Sequence, residues 1–207
     1  MKEFNIVLAG VGGQGTLLAA EILGTAAVKE GLNVRVSEIH GMAQRGGTVT
    51  SDVRMGEGVL APTVMDGQAD VLLGFEPLET LRSLKYASKK TMVVMSAEKI
   101  PPAELAAKNK GYPSTNEIME QIHRFTKKVA IVETRRLAEE AGSNLTQNVV
   151  LLGALVASRK LPIREESVIE AIEELVATKH VKVNVKAFKL GHESMKRSYW
   201  QAKSLSP

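Results

Sequence analysis

Two glycine-rich segments are the parts of this sequence best suited to bind a ligand. The first, Gly10-Val11-Gly12-Gly13-Gln14-Gly15, follows a short apolar run and precedes a helical pattern rich in small residues. Glycines adopt backbone conformations closed to other residues and let a ligand approach the main chain. The free N–H groups at the start of the next helix favour a phosphate or carboxylate. The segment predicts an anion- or nucleotide-binding loop; the alternative is a tight strand-to-helix turn, with Gln14 bonding a ligand or capping the loop.

An acidic residue, Glu38, lies at the end of the next strand pattern. In a nicotinamide enzyme an acid at this distance beyond the glycine loop binds the ribose hydroxyls. The sequence therefore leaves open a stand-alone NAD(P)- or flavin-dependent reductase. The doubled glycine Gly12-Gly13 and the unusual segment that follows Glu38 are not features of that class.

The second glycine-rich segment is His40-Gly41-Met42-Ala43-Gln44-Arg45-Gly46-Gly47. It begins where the second strand pattern ends, which in a doubly wound sheet is beside the ligand crevice. The guanidinium of Arg45 is a planar fork of donors suited to phosphate or carboxylate, and Gln44 stands next to it. Arg45 could equally pair with a buried acid of a protein partner, and a lone His40 is more often structural than catalytic. No second catalytic group accompanies them, so no catalytic residue is assigned.

Composition narrows the classes of function. The chain has 207 residues, 44% hydrophobic, with a formal charge of +4 and only 4% aromatic residues, so nothing indicates nucleic-acid binding. It has no cysteine, which excludes a disulfide framework and a cysteine-ligated iron–sulfur cluster within it. No apolar run is long enough for a membrane span, and a strand pattern starts at once, without a signal peptide. We expect a cytoplasmic protein that binds no metal by itself.

Hydrophobic periodicity indicates alternating strands and helices. Six segments have strand patterns: 4–9, 33–38, 48–54, 69–75, 91–96 and 128–133. Seven have helical patterns: 15–29, 77–87, 117–126, 134–141, 147–160, 165–178 and 181–203. Residues 99–114, rich in proline and glycine, are expected to be a surface excursion.

The fold class expected is α/β: a Rossmann-like, doubly wound, mainly parallel sheet with helices on both faces. The chain is expected to be a single domain, with an α/β core over about 4–142 and a helical C-terminal segment over 143–207. The last helical pattern has apolar residues at alternating spacings of four and three, a narrow seam of the coiled-coil kind.

The two loops together resemble the gamma module of 2-oxoacid:ferredoxin oxidoreductases, and the second loop looks most like the indolepyruvate branch. Asn144-Leu145-Thr146-Gln147-Asn148 before Leu151-Leu152-Gly153-Ala154-Leu155 is similar to the closing motif of that family, as is Asn184-Val185-Lys186-Ala187-Phe188-Lys189-Leu190-Gly191. The resemblance covers about residues 4–192. It places Asn148 beside the two loops among the residues expected to contact a ligand or partner.

The resemblance implies a small subunit of an enzyme that oxidatively decarboxylates a 2-oxoacid, joins the acyl group to coenzyme A and passes electrons to ferredoxin. The family's thiamine diphosphate, magnesium and iron–sulfur clusters are then expected on a large alpha subunit, because this chain has neither cysteines nor a thiamine diphosphate signature. Ferredoxin would be reached through that subunit. A remaining alternative is a non-catalytic, Rossmann-like assembly module whose glycine loop is empty.

Overall fold

A computed structural model describes residues 3–41, 46–101 and 111–204, with the backbone alone from residue 196 onward. Its strands are β1 (Phe4–Val11), β2 (Val34–His40), β3 (Thr48–Met55), β4 (Val71–Gly74), β5 (Met92–Ser96) and β6 (Val129–Val132). They form one sheet in the order β2-β3-β1-β4-β5-β6. Every predicted strand is therefore present in the described part of the chain.

The sheet is mainly parallel, as predicted, with one reversed strand. Strands β1, β4, β5 and β6 pair in parallel, whereas β3 is antiparallel to both β1 and β2. The predicted βαβ unit exists, since β1 and β2 run the same way, but β3 lies between its two strands. The second glycine-rich segment consequently connects the antiparallel hairpin β2–β3.

The described helices are α1 (Thr16–Lys29), α2 (Pro77–Arg82), α3 (Thr115–Phe125), α4 (Thr134–Ala141), α5 (Gln147–Ala157), α6 (Glu165–Leu175) and α7 (Thr178–Ser204). The helix predicted to run from Pro77 to Ala87 is shorter than expected. The Ser83 N–H bonds to the carbonyls of both Glu79 and Thr80, which tightens the chain into a 3-10 turn at Leu84–Tyr86. No described helix is both long and apolar enough to cross a membrane.

Helices cover both faces of the sheet, which confirms the doubly wound prediction. On one face Ile6 and Leu8 of β1 pack in a cluster with α1, α4, α5, α6 and α7. On the other face Val7 and Ala9 pack with the 3-10 turn and with Ile118 and Ile122 of α3. The alternation along β1 follows from the two-residue period of a strand, and its nearly continuous apolar sequence is typical of a strand covered on both sides.

Helices α5 and α7 pack at unusually close range. A Cβ added at Gly153 would lie 2.0 Å from the Phe188 carbonyl oxygen, and one at Gly191 would lie 1.9 Å from the Val150 carbonyl oxygen. Phe188, within the predicted coiled-coil seam, is fully buried at this contact. The seam therefore packs against a helix of the same chain, and the two glycines of the C-terminal motifs serve helix packing.

Candidate functional site

The first glycine loop connects β1 to α1 in the predicted strand–loop–helix arrangement. Gly13 has φ +101° and Gly15 has φ +75°, conformations that L side chains rarely adopt. Gly10 is still part of β1, and the Gln14 N–H closes the turn onto the Val11 carbonyl at 3.1 Å. The backbone N–H groups at the start of α1 are thus presented at the C-terminal end of the sheet.

Gln14 braces this loop. Its Oε1 accepts a hydrogen bond from the Val11 N–H at 2.7 Å, and its Nε2 donates to the Phe75 carbonyl at 2.9 Å. A Cβ at Gly10 would lie 2.9 Å from Gln14 Oε1 and from Phe75 Cβ, so glycine makes room for the brace. Of the two roles considered for Gln14, the geometry supports loop capping, because both ends of its amide already bond protein groups.

Asn148 brings the helical C-terminal segment to the same loop. It lies in the first turn of α5, is 5% exposed and donates from Nδ2 to the Gly15 carbonyl at 3.3 Å. A Cβ at Gly15 would lie only 2.5 Å from that nitrogen. Gly15 therefore lacks a side chain for two reasons, its backbone conformation and the close approach of Asn148.

A crevice of about 430 Å³ opens at the C-terminal ends of the parallel strands. We call it the strand-end crevice. It is lined by Gly13, Gln14, Gly15, Leu18, Phe75, Ser96, Ile100, Thr134, Asn144, Leu145, Gln147, Asn148 and Leu151. The N-termini of α1, α4 and α5 all reach it. Its described lining has no charged side chain, so helix dipoles and polar groups supply its attraction for an anion.

Hydroxyl and amide groups form a chain across the floor of the strand-end crevice. Ser96 Oγ lies 2.6 Å from Thr134 Oγ1, which donates to Gln147 Oε1 at 3.2 Å. Gln147 Nε2 in turn donates to the Asn144 carbonyl at 3.2 Å. The sequence prediction missed Ser96, Thr134 and Gln147. Their positions in the sequence could have indicated this site. Ser96 ends a strand pattern and Thr134 follows one, and the C-terminal ends of parallel strands meet at one edge of the sheet.

A buried carboxylate holds the segment beside the strand-end crevice. Glu76, fully buried, accepts hydrogen bonds from the Tyr112 hydroxyl, the Ile100 N–H at 3.2 Å and the Glu79 N–H at 2.9 Å. Burial and the Glu76 carboxylate raise the pKa of Tyr112 well above its usual value, so the hydroxyl stays protonated as a donor. Because Ile100 lines the crevice, this network fixes one wall.

The second glycine-rich segment touches the first at its far end. The Gly12 N–H donates to the Gly47 carbonyl at 2.9 Å, and Gly46 has φ +73°. At the near end the Gly41 N–H donates to the Thr48 carbonyl at 2.9 Å, closing the hairpin. Gln44 and Arg45, predicted to bind a ligand or partner, lie outside the described residues.

Glu38 and His40 do not line the strand-end crevice. His40 was predicted to start the irregular loop but is the last residue of β2, because it pairs with Val49 across the hairpin. Its Nε2 lies 2.9 Å from the Glu38 carboxylate. The two form a local pair on an edge strand.

The position of β2 weighs against a nicotinamide site. In such a site the acid follows a strand adjacent to β1. Here β3 intervenes, so Glu38 is two strand spacings, about 10 Å, from β1. This position disfavours Glu38 as a ribose ligand and, with it, the stand-alone reductase.

The fold and site define a Rossmann-like α/β domain with an uncharged, glycine-built crevice at its strand ends. Residues 5–194 match the family model described as pyruvate ferredoxin/flavodoxin oxidoreductase, and the chain belongs to this family. It is 46% identical over 197 residues to a Pyrococcus horikoshii protein named indolepyruvate oxidoreductase subunit IorB, covering 95% of this chain and 98% of that relative.

Solved structures have the same fold. The gamma subunit of a keto/oxoacid ferredoxin oxidoreductase from Geobacter sulfurreducens superposes with a TM-score of 0.67 at 24% identity, covering 94% of this chain and 99% of that one. The 2-oxoglutarate:ferredoxin oxidoreductase from Magnetococcus marinus, with 2-oxoglutarate, coenzyme A and succinyl-CoA bound, gives 0.72 at 19% identity. The match covers 95% of this chain and 32% of that longer chain.

Proposed function

We propose that this chain is the small subunit of an oxidoreductase that oxidatively decarboxylates indolepyruvate or a related aryl 2-oxoacid. The acyl group is joined to coenzyme A, carbon dioxide is released, and two electrons pass singly to ferredoxin. The observation that carries the proposal is the 46% identity to an indolepyruvate oxidoreductase subunit along nearly the whole of both chains.

The redox cofactors belong on a larger partner subunit in this proposal. The chain has no cysteine to hold a cluster, and its described residues include no group of three or more His, Asp or Glu side chains placed to bind a metal. The described lining of the strand-end crevice also offers no carboxylate for the magnesium of thiamine diphosphate. The cytoplasmic location expected from the sequence remains part of the proposal.

Assembly with the large subunit is the first test. We expect the isolated chain to be colourless and inactive, and the reassembled complex to reduce a viologen dye when indolepyruvate and coenzyme A are both present. Turnover by the isolated chain would contradict the subunit assignment. A complex that is active on another 2-oxoacid, but not on indolepyruvate, would contradict the substrate class alone.

We further propose that the strand-end crevice and Arg45 bind an anionic part of coenzyme A. Three helix N-termini around an uncharged lining favour an anion, and a guanidinium fork suits a phosphate. The Magnetococcus marinus enzyme, with coenzyme A bound, supports this choice of ligand for the fold. Glu38 and His40, away from the crevice, are not part of this site.

Two substitutions test the crevice. Arg45→Lys keeps the charge but loses the planar fork, so we expect the KM for coenzyme A to rise roughly 10- to 150-fold. Gly13→Ala would place a methyl in open space at the crevice, and should raise the same KM while the subunit still folds. Unchanged kinetics with weaker subunit association would instead favour the assembly module.

A further inference from the structure

Three surface loops converge at the N-terminal ends of β5 and β6, and each has a basic doublet. The doublets are Lys89-Lys90, Lys127-Lys128 and Arg159-Lys160, all exposed. Lys128 Nζ donates to the Lys90 carbonyl at 3.4 Å, which brings two loops together. Lys127, Lys128, Arg159 and Lys160 line a common groove, hereafter the basic groove.

No acidic group neutralises this charge within the described structure. None of the six cations forms a salt bridge with a described residue. Segments 88–92, 123–132 and 156–162 contain no Asp or Glu. Elsewhere, by contrast, the exposed Arg135, Arg136 and Arg164 are each paired with a glutamate. Single cations without a described acidic partner occur elsewhere, Lys179 and Lys182 among them, but here six come together in three loops that contain no acidic residue.

The groove is apolar as well as basic. Met92, Val129, Ile131 and Met195 line it between the cations, and Ile131 is 41% exposed. Beside it β6 is an edge strand. The N–H of Val93 donates to the Lys128 carbonyl and that of Ala97 to the Val132 carbonyl, so the backbone groups of Val129 and Ile131 point away from the sheet. Apolar contact and outward-pointing backbone groups suit a protein better than a nucleic acid, and the described lining residues of the groove include no aromatic ring for base stacking.

Arg159 gives an independent indication that the charge is functional. It follows the end of α5 with φ +55°, and it is the one non-glycine residue with positive φ among the residues that the structure describes. Glycine would adopt this left-handed conformation without strain, whereas an arginine is strained in it. Basic residues also suit the dipole at a helix C-terminus, but that does not account for the doublets in the other two loops.

We propose that the basic groove docks the acidic protein that accepts electrons from the complex. The groove and the strand-end crevice lie at opposite ends of β5, roughly 13 Å apart. The groove is therefore a surface separate from the crevice, where the proposed function places the chemistry of the partner subunit. Exposed, unpaired cations accelerate encounter with an acidic protein and suit a transient complex. The inference rests on the proposed function. In this arrangement the small subunit binds the acidic acceptor protein, and the electrons pass to that protein from the iron–sulfur clusters of the large subunit.

The test compares two electron acceptors on the reassembled complex. In Lys127→Glu/Lys128→Glu, we expect the KM for an acidic ferredoxin at low salt to rise roughly 10-fold or more, and its dependence on ionic strength to flatten. Turnover with a viologen dye and assembly with the large subunit should be unchanged. Lys127→Gln/Lys128→Gln should give a smaller rise, because it removes charge without reversing it.

The control is Lys179→Glu/Lys182→Glu, the same charge change on exposed residues at the start of α7. An unchanged KM for ferredoxin in the groove variant, or an equal rise in the control, would overturn the proposal. Loss of assembly in the groove variant would also overturn it, because the groove would then belong to the interface with the large subunit. A single-stranded DNA oligonucleotide that displaces ferredoxin from the wild-type complex at the same concentration as ferredoxin itself would overturn it too. If the wild-type complex fails with viologen, the proposed function is wrong, and titration of ferredoxin against the isolated chain then decides the groove.

Discussion

The side-chain amide of Asn148 donates to the carbonyl of Gly15, 3.3 Å away, and joins segments that lie 133 positions apart in the chain. This contact fixes the N-terminus of α1 against that of α5. It also explains why glycine stands where α1 begins, since any side chain there would meet the amide. The geometry of the strand-end crevice depends on this pair.

Replacing Gly15 by alanine should destabilise the protein more than replacing Gly13. Both positions have positive φ, which costs alanine about 1–2 kcal/mol, but only at Gly15 would the Cβ also meet Asn148 Nδ2, at 2.5 Å. We expect Gly15→Ala to lower the free energy of unfolding by about 2–4 kcal/mol in urea titrations. Equal losses in the two variants would mean that the Asn148 contact imposes no constraint.

The close packing of α5 on α7 gives a second prediction. Gly153→Ala would place a methyl 2.0 Å from the Phe188 carbonyl oxygen, so the helices must separate, at a cost of about 3 kcal/mol or more. Gly24→Ala in α1 is the matched control. Its Cβ meets only side-chain methyl groups, of Val36 at 3.2 Å and of Val34 at 3.7 Å, and alanine favours the helix. Thermal unfolding should separate the two variants clearly, and similar melting temperatures would contradict the packing argument.

Glu30 should make stability depend on acid pH. Its carboxylate accepts hydrogen bonds from Ser167 Oγ at 2.6 Å and from Arg164 Nε at 2.9 Å, which lower its pKa to about 2 from 4.5. A lowered folded-state pKa stabilises the fold above pH 4.5, and this contribution is lost as the pH falls towards 2. Glu30→Gln should therefore lower Tm at pH 7, with a smaller difference at pH 3. Replacement of the exposed Glu21 by glutamine is the control, and an equal pH-dependent loss there would contradict the argument.

Asp52 should act with the opposite sign. Burial in β3 raises the pKa of its carboxyl, although the Val64 N–H donates to Oδ2 at 2.9 Å. A raised folded-state pKa contributes stability below the unfolded value of 3.8, and that contribution is lost as the pH rises through the folded pKa. Asp52→Asn, which keeps an acceptor for Val64, should therefore be more stable than wild type at pH 8, with the gap closing towards pH 4. If the wild type were more stable than Asp52→Asn at pH 8, the prediction would be contradicted. The control is the same substitution at the exposed Asp66.

Local patterns in the sequence predicted the first glycine loop and most elements correctly. The apolar run of β1, the glycines and the small residues of α1 act over a few positions, so their periodicity and turn chemistry are visible directly. A capping signal of the same local kind starts α3, where the Ser114 side chain accepts from the Glu117 N–H and the Glu117 carboxylate accepts from the Ser114 N–H. The break after Arg82 was missed because no proline or glycine marks it.

Features that depend on pairing across the chain were not predictable from the pattern. The sequence pattern of β3 indicates neither its direction nor its place between β2 and β1. That place is what separates Glu38 from the strand-end crevice. The brace from Gln14 to Phe75 spans 61 positions, and the hydroxyl pair Ser96–Thr134 spans 38. The helix or strand to which a residue belongs can be predicted from a single sequence, but its neighbour on an adjacent strand or helix cannot.

The central position of α5 has a consequence for biosynthesis. Every residue from Asn148 to Val156 is buried, so this helix covers one face of the sheet as well as completing the crevice. A nascent chain that has not yet emerged from the ribosome beyond about residue 157 exposes that apolar face and lacks a wall of the ligand site. Competence to bind then arises only after this helix has emerged, and termination before it yields an aggregation-prone product instead of a partly active one.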